Sequence, residues 1–276
     1  MEFIEILKSI LLGIVEGITE WLPISSTGHM ILLDELVRLN VSDEFKKLFL
    51  VVVQLGAILA VPVYFFNRLN PFKKSDKGYT DKPTMRLWLK VLVGALPAAV
   101  LGLLLDDLFD KYLDNYVVVA IALIVYGALF IVVERLNRGK EYRVKTVDEL
   151  TYKDALAIGA FQALSLIPGT SRSGSTILGG IMTGVSRTAS AEFSFFMAIP
   201  IMLGASGLKV VKFIISGFTA TGIEILLLVI GIIVSFLVSL AVIRFLMDFV
   251  KRHSFAPFGV YRIILGAVVI SYFLLK

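Results

Sequence analysis

Residues 155–185 read ALAIGAFQALSLIPGTSRSGSTILGGIMTGV, an apolar stretch interrupted in its middle by proline, glycine, hydroxyl residues and one arginine. Each apolar half, 155–167 and 176–185, is too short to cross a hydrocarbon core, which takes about 20 helical residues. Irregular backbone at membrane depth is tolerated only where protein or a water-filled cavity covers it. The stretch therefore predicts a re-entrant hairpin of two short helices, with its polar tip at residues 168–176 inside the membrane.

A second stretch near the start of the chain has the same organisation. Residues 4–18 and 30–39 are largely apolar, and WLPISSTGH lies between them at residues 21–29. The two stretches align once one residue is inserted in the second, pairing Pro23 with Pro168, Ser25 with Ser171 and Gly28 with Gly174. Interrupted segments at corresponding positions indicate an internal repeat, with repeat one at about residues 1–135 and repeat two at about residues 150–276.

Six further runs are long and apolar enough to span a bilayer. They cover residues 48–66, 87–105, 116–133, 192–208, 223–247 and 258–275. Each repeat then has one hairpin and three spans, and because three is odd the two repeats must lie in opposite orientations. The predicted fold class is all-α: a single polytopic membrane domain over residues 1–276, with an inverted-topology repeat, six spanning helices and two re-entrant helix hairpins.

Composition excludes several classes of protein. The chain is 57% hydrophobic and only 18% charged, with a mean hydropathy of +0.87, whereas about a quarter of a soluble domain is charged. It has no cysteine and two histidines, which excludes disulfides, thiol nucleophiles and cysteine or multi-histidine metal sites. The net charge of +5 comes from basic clusters between apolar runs, so we expect no nucleic-acid partner.

The charged segments also predict the orientation. Residues 67–86 and 134–153 each contain six Lys or Arg, whereas residues 106–115 contain four Asp and one Lys. Basic loops stay in the cytoplasm, so the first two segments are predicted to be cytoplasmic, and the third segment and both chain ends external. The start of the chain is acidic and lacks a small-residue cleavage site, so we expect no cleavable signal peptide.

The first tip carries candidate catalytic groups. Glu16 and Glu20 are four apart and share one helix face, where two acids could hold a divalent cation or move protons; the alternative is an exposed face at the membrane surface. Ser25, Ser26 and Thr27 offer hydroxyls beside His29, and a serine, histidine and glutamate together are what a base-activated oxygen nucleophile requires. Whether serine, histidine or water attacks is left open by the spacing.

The second tip has the features of a phosphate site. Glycine backbone, hydroxyls and a following helix start all favour an anion, and Arg172 offers a planar fork that fits phosphate oxygens. The alternative is that Arg172 pairs with Glu16 or Glu20 in a structural role, which would also bring the tips together. The candidate phosphate ligands in the two tips are Ser25, Thr27, Gly169, Thr170, Ser171, Ser173, Gly174 and Thr176.

Together the tips predict phosphoryl transfer on a lipid, because that chemistry depends on positioning and charge stabilisation. The rival hypothesis is a transporter or flippase of a phosphate-bearing lipid, since inverted repeats with broken helices are typical of secondary transporters. Gln54 is a candidate for lining the site, the alternative being a helix–helix hydrogen bond. His253, in a short basic loop, is predicted to be a solvated surface residue.

Two long motifs carry a family resemblance. EGITEWLPISSTGH at residues 16–29 and PGTSRSGST at residues 168–176, with QLGAI at residues 54–58, resemble the membrane-embedded bacterial undecaprenyl-diphosphate phosphatase family, the bacitracin resistance protein type. The resemblance covers essentially the whole chain. It implies hydrolysis of the terminal phosphate of undecaprenyl diphosphate, giving the carrier used for peptidoglycan, and resistance to bacitracin on overexpression. It also implies a multi-pass protein of the bacterial plasma membrane whose active site opens to the external face.

The resemblance implies roles for individual residues. Glu16 and Glu20 match the acidic pair, which would bind a divalent cation such as Mg²⁺ or Ca²⁺. Ser26 matches the usual nucleophile candidate, and His29 an acid/base group or nucleophile. Arg172 matches the arginine of the second motif, with phosphate ligands beside it at Ser171, Ser173 and Thr176. The expected partners are a polyprenyl diphosphate and membrane lipid, and the oligomeric state is left open, with a homodimer as one option.

Overall fold

The computed structural model describes residues 2–72, 81–113, 115–217 and 219–276, without the side chains of residues 34, 35 and 106–111. Helices joined by turns and loops make up most of these residues. The helices are α1 (Glu2–Thr19), α2 (Ser26–Leu36), α3 (Asp43–Tyr64), α4 (Phe66–Leu69), α5 (Lys82–Tyr112), α6 (Tyr116–Leu136), α7 (Tyr152–Ala163), α8 (Arg172–Met182), α9 (Arg187–Ile215), α10 (Gly222–Val250) and α11 (Ala256–Leu275).

Six helices of the described residues are long and apolar enough to cross a membrane: α3, α5, α6, α9, α10 and α11. They confirm the six predicted spans, with shifted ends. Helix α3 ends at Tyr64, short of the predicted residue 66, because the chain turns at Phe65 before α4. Helix α5 continues to Tyr112, through most of the acidic segment that we predicted as a loop, since a helix can extend beyond the hydrocarbon into water.

Each predicted hairpin contains two short helices, and the second helix of each begins earlier than predicted. Helix α2 begins at Ser26 rather than residue 30, because the Ser25 hydroxyl accepts a hydrogen bond from Gly28 N at 3.4 Å. Helix α8 begins at Arg172 rather than residue 176, because Ser171 caps it in the same way. Such caps supply partners for the first N–H groups of a helix. The polar tip residues therefore lie in the first turns of α2 and α8.

The two caps share an unusual backbone conformation. Ser25 has φ 74° and ψ 103°, and Ser171 has φ 73° and ψ 121°. They are the non-glycine residues with positive φ in the described chain, a conformation that costs about 1–3 kcal/mol and persists where its surroundings enforce it. The matching geometry lies at two positions that the sequence alignment paired, and the division of the chain into two repeats stays a prediction. The opposite orientation of the two halves stays a prediction, because it is defined relative to a bilayer.

The first helix of each hairpin packs along a spanning helix of the other half. Helix α1 runs parallel to α10: Ser9 Oγ donates to the Leu227 carbonyl at 2.7 Å, and Ser239 Oγ donates to the Gly17 carbonyl at 3.3 Å. Helix α7 runs parallel to α5 in the corresponding arrangement. Helices α6 and α11 pack against each other and also reach the hairpins. This exchange of helices between the halves brings the two tips together.

Candidate functional site

The two tips meet through Glu20 and Arg172. Glu20 follows the end of α1, and Arg172 is the first residue of α8. Both Nη2 and Nε of Arg172 donate to Glu20 Oε1, at 3.2 and 3.3 Å, and Nη1 donates to the Ser194 carbonyl at 2.9 Å. The guanidinium carbon lies 5.6 Å from the centre of the Trp21 ring. The sequence predicted Glu16 or Glu20 as the alternative partner of Arg172, and in the structure Arg172 pairs with Glu20.

The second oxygen of Glu20 contacts the candidate nucleophile. Ser26 Oγ donates to Glu20 Oε2 at 3.2 Å. One carboxylate therefore accepts from a serine on the first tip and from an arginine on the second. A hydroxyl that donates to a carboxylate has the arrangement of an oxygen nucleophile with its base.

The hydrogen bonds of His29 define its tautomer. Nδ1 lies 2.7 Å from the Ser25 carbonyl oxygen, which can only accept, so Nδ1 carries the proton. In the neutral ring Nε2 then accepts from the Tyr261 hydroxyl, also at 2.7 Å. The His29 and Tyr261 rings are stacked, with centroids 5.6 Å apart. In the part of the chain that the structure describes, His29 and Ser26 share no hydrogen bond, so His29 is not the partner that activates Ser26 in this arrangement.

Glu16 is the residue that best fits a metal ligand. Its side chain is buried, and among the described residues its Oε1 has no hydrogen-bond partner, which leaves a lone pair for a cation. Among the described residues, no group of three His, Cys, Asp or Glu side chains could enclose a metal. Mg²⁺ is commonly held by one or two carboxylates together with substrate phosphates. The acidic pair fits a cation of that kind, bound with the substrate, and does not form a complete protein cage.

The hydroxyls of the second tip are engaged within the protein. Ser173 Oγ donates to the Glu20 carbonyl at 3.1 Å, which ties the tips together a second time. Thr176 Oγ1 lies 2.6 Å from Ser194 Oγ and 2.9 Å from the Arg172 carbonyl. Ser171 Oγ lies 3.2 Å from Ser173 Oγ. These predicted phosphate ligands surround Arg172, but their present partners are protein atoms.

Gly169 and Thr170, in the backbone of the second tip, contact Val119 and Arg262. Gly169 has φ +88° and lies against Val119, whose carbonyl oxygen would be 2.5 Å from a Cβ at that position, so only glycine fits. The Gly169 and Thr170 carbonyls accept hydrogen bonds from Arg262, each at 2.9 Å. These two residues therefore shape the turn. Their role as phosphate ligands stays a prediction.

Three other residues singled out in the sequence lie apart from this contact network. Thr27 is exposed in the first turn of α2, and Gln54 is half-buried on α3 with no described hydrogen bond to the site. Their roles stay predictions. His253 is exposed in the loop between α10 and α11, where its ring stacks on Phe249 at 4.5 Å. This agrees with the prediction of a surface residue.

Three residues of this network were missed in the sequence. Ser194 comes from α9, and Tyr261 and Arg262 are consecutive on α11. A signal for Arg262 was present, since a charge within an apolar span is expensive and commonly functional. Tyr261 and Ser194 had no such signal, because hydroxyl residues are frequent in membrane helices as packing groups.

Known proteins resemble this chain over nearly its full length. Residues 9–268 match the family described as bacitracin resistance protein BacA. A protein named undecaprenyl-diphosphatase from Acetivibrio thermocellus is 56% identical over 271 residues, which cover 98% of each chain. Proteins with that name from Enterococcus faecalis and Streptococcus mutans are 56% and 55% identical, and the alignments cover 98% and 100% of this chain and 98% and 99% of theirs. By the extent of the family match and by these identities, the chain belongs to the bacitracin resistance protein BacA family.

Proposed function

We propose that this chain removes the terminal phosphate of undecaprenyl diphosphate, giving undecaprenyl phosphate and inorganic phosphate. The carrier monophosphate would return to peptidoglycan synthesis, and a higher level of the protein would raise tolerance to bacitracin. The observation that carries the proposal is the Glu20 carboxylate shared by Arg172 and Ser26. It places the guanidinium of Arg172, which can bind phosphate, beside the hydroxyl of Ser26, the candidate nucleophile. Relatives over 50% identical bear the name of this activity.

Arg172 is the first phosphate ligand in this proposal. Its guanidinium leaves Glu20 Oε1 and turns to the diphosphate, to which it can donate two parallel hydrogen bonds. The N–H groups at the starts of α2 and α8 add partial positive charge on both sides of the anion. The departure of Arg172 frees Glu20 Oε1, so substrate binding rearranges the contacts of the acid–base group.

Ser26 is the proposed nucleophile. Its Oγ attacks the terminal phosphorus and its proton passes to Glu20 Oε2, while the bond from that phosphorus to the bridging oxygen breaks. Undecaprenyl phosphate leaves with the electron pair. Water then displaces the Tyr261 hydroxyl from His29 Nε2, attacks the phosphoserine and gives its proton to that nitrogen, while the bond from phosphorus to Oγ breaks. Glu20 returns its proton to Ser26 Oγ, and His29 passes its proton to the solvent.

A divalent cation is proposed at Glu16 and Glu20, supported by the unpartnered Glu16 Oε1. Such an ion would neutralise charge on the diphosphate oxygens. Phosphate release by the purified protein should fall in the presence of a chelator and return with Mg²⁺ or Ca²⁺. Glu16→Gln should need a higher concentration of the cation, and an unchanged requirement would count against this assignment.

Phosphate release from detergent-solubilised protein tests the proposed function. An enzyme hydrolyses undecaprenyl diphosphate there, whereas a transporter needs a sealed compartment.

Substrate radiolabelled at its terminal phosphate tests the nucleophile. It should leave label on acid-quenched wild-type protein and none on Ser26→Ala, whose kcat should fall about a thousandfold. Full activity in Ser26→Ala would show that another group attacks.

The proposed location is the bacterial plasma membrane, with the site open to the external face and the basic loops in the cytoplasm. Because the chain has no cysteine, one cysteine at a time can be introduced without background labelling. A membrane-impermeant thiol reagent on intact cells should label Ser216→Cys and spare Arg138→Cys. The reverse pattern would invert the topology.

A further inference from the structure

Arg262 is a fully buried arginine on α11 that the reaction proposed above does not use. Its side chain has no solvent exposure, and no ion pair among the described residues includes it. Its guanidinium carbon lies 5.6 Å from the centre of the Tyr126 ring on α6. A charge at this depth without an acidic partner is costly and is commonly retained for function.

The guanidinium spans both hairpin tips. Nη1 donates to the Pro23 carbonyl in the first turn at 3.2 Å, and Nη2 donates to the Gly169 and Thr170 carbonyls in the second turn at 2.9 Å each. Broken helices leave carbonyls without helical N–H partners, and lipid offers none. One planar fork therefore supplies donors to both breaks at the same time.

The carbonyls that Arg262 contacts belong to residues that neighbour the proposed site residues in sequence. Pro23 stands between Glu20 and Ser26 in the first tip, and Thr170 precedes Ser171 and Arg172 in the second. A Cβ at Gly174, in the first turn of α8, would lie 3.2 Å from Arg262 Nη1. Movement of either turn would alter the distance between Glu20 and Arg172. Both Nη atoms are occupied by carbonyls and the side chain is enclosed, so Arg262 is placed to hold the tips and not to bind phosphate.

We propose that Arg262 is a positioning residue that fixes the two hairpin tips relative to each other through three backbone carbonyls. The inference rests on the proposed phosphatase function. A ligand for phosphate would change substrate binding, whereas a positioning residue changes the rate of the bound complex. Lysine keeps the charge without the fork, glutamine keeps two N–H donors without the charge, and methionine keeps neither.

Steady-state phosphate release by purified wild type, Arg262→Met, Arg262→Lys and Arg262→Gln tests the assignment. We expect Arg262→Met to lower kcat at least about tenfold and to leave KM within about threefold of wild type. The kcat values of Arg262→Lys and Arg262→Gln should lie between those of Arg262→Met and wild type. Arg172→Met should raise KM by about tenfold or more, and Arg244→Met, at an exposed position on α10, should behave as wild type.

Trp21 gives a readout that is independent of activity. The chain has two tryptophans, and Trp21 is buried against Phe195 with ring centroids 5.0 Å apart. In a Trp88→Phe background, its fluorescence reports on the first tip alone. Arg262→Met should shift Trp21 emission to longer wavelength as the tip opens to water, and Arg244→Met should leave the emission unchanged.

The outcomes are distinguishable. If the wild type releases no phosphate, the proposed function fails, and Trp21 emission alone then decides the role of Arg262. Wild-type kcat and emission in Arg262→Met would overturn the assignment, as would a large rise in KM with kcat unchanged. If Arg262→Met does not fold, Arg262→Lys decides: reduced kcat, unchanged KM and shifted emission support positioning, and wild-type values overturn it.

Discussion

Glu20 and Arg172, which are 152 positions apart in sequence, form an ion pair in which both side chains are nearly buried. Burying the charge of either hairpin without the other would destabilise the folded protein, because an unpaired ion at this depth is strongly unfavourable. The pair therefore links assembly of the two halves to assembly of the site. It also keeps the nucleophile's base occupied until an anion competes for the guanidinium.

This coupling predicts a non-additive double-mutant cycle. Glu20→Gln and Arg172→Met should each destabilise the protein by about 3–5 kcal/mol, because each leaves a buried charge alone. The double variant should be destabilised by less than the sum of the two. Unfolding in detergent measures these effects, with the exposed Glu141→Gln as a control close to wild type. Additive effects would mean that the two side chains are not energetically coupled.

Tyr261 should affect the rate through His29. Tyr261→Phe keeps the ring that stacks on His29 and removes the hydroxyl that donates to Nε2. Because the hydrogen bond that orients His29 is lost, kcat should fall by about three- to tenfold. KM should stay close to wild type, because the hydroxyl contacts the imidazole and no proposed phosphate ligand.

Tyr272→Phe is the matched control, because it removes a hydroxyl from the same helix beside Phe273. Wild-type turnover is expected for Tyr272→Phe. Equal effects of the two substitutions would assign the change to general perturbation of α11. An unchanged kcat in Tyr261→Phe would show that this hydrogen bond has no part in turnover.

The sequence predicted the pairing of Arg172 with Glu16 or Glu20 as the alternative to phosphate binding, because a buried guanidinium in lipid requires an anion. It did not predict Tyr261 in the site, because the order of residues in an apolar span does not show which face turns inward. Arg262 did carry a signal, as a charge within an apolar span, but its sequence position alone does not show that it reaches both tips. The starts of α2 and α8 were placed too late for another reason. A serine held at positive φ as a cap is a rare conformation, and nothing in the residue itself signals it.

The strained caps predict an unusual order of substitutions at Ser171. Ser171→Ala removes the capping hydroxyl and keeps a Cβ at φ 73°, so it should destabilise the protein by about 1–2 kcal/mol. Ser171→Gly loses the same hydroxyl but relieves the strain, and should remain within about 0.5 kcal/mol of wild type. Ser186 caps α9 at φ −61°, where glycine relieves no comparable strain. If the glycine variant were more stable than the alanine variant by a similar amount at Ser186 and at Ser171, the explanation from positive φ would be contradicted.

Close packing of α7 on α5 predicts strict intolerance of a side chain at Gly159. A Cβ there would lie 2.2 Å from the Gly94 carbonyl oxygen, and helices that approach through small residues cannot admit even a methyl group without separating. We expect Gly159→Ala to destabilise the protein by about 1–3 kcal/mol. Because α7 leads into the second tip, phosphate release should fall with it.

Gly207→Ala is the matched control for this substitution. Gly207 lies within α9, and apart from its own helical turn no atom of the described residues lies within 4 Å of its added Cβ. Alanine there should be neutral or should stabilise the protein by up to about 1 kcal/mol through its higher helix propensity. Melting temperatures in one detergent compare the two variants directly. If Gly159→Ala were as stable as Gly207→Ala, the close contact between α5 and α7 would be wrong. The placement of the second hairpin against the first half would then lose its support.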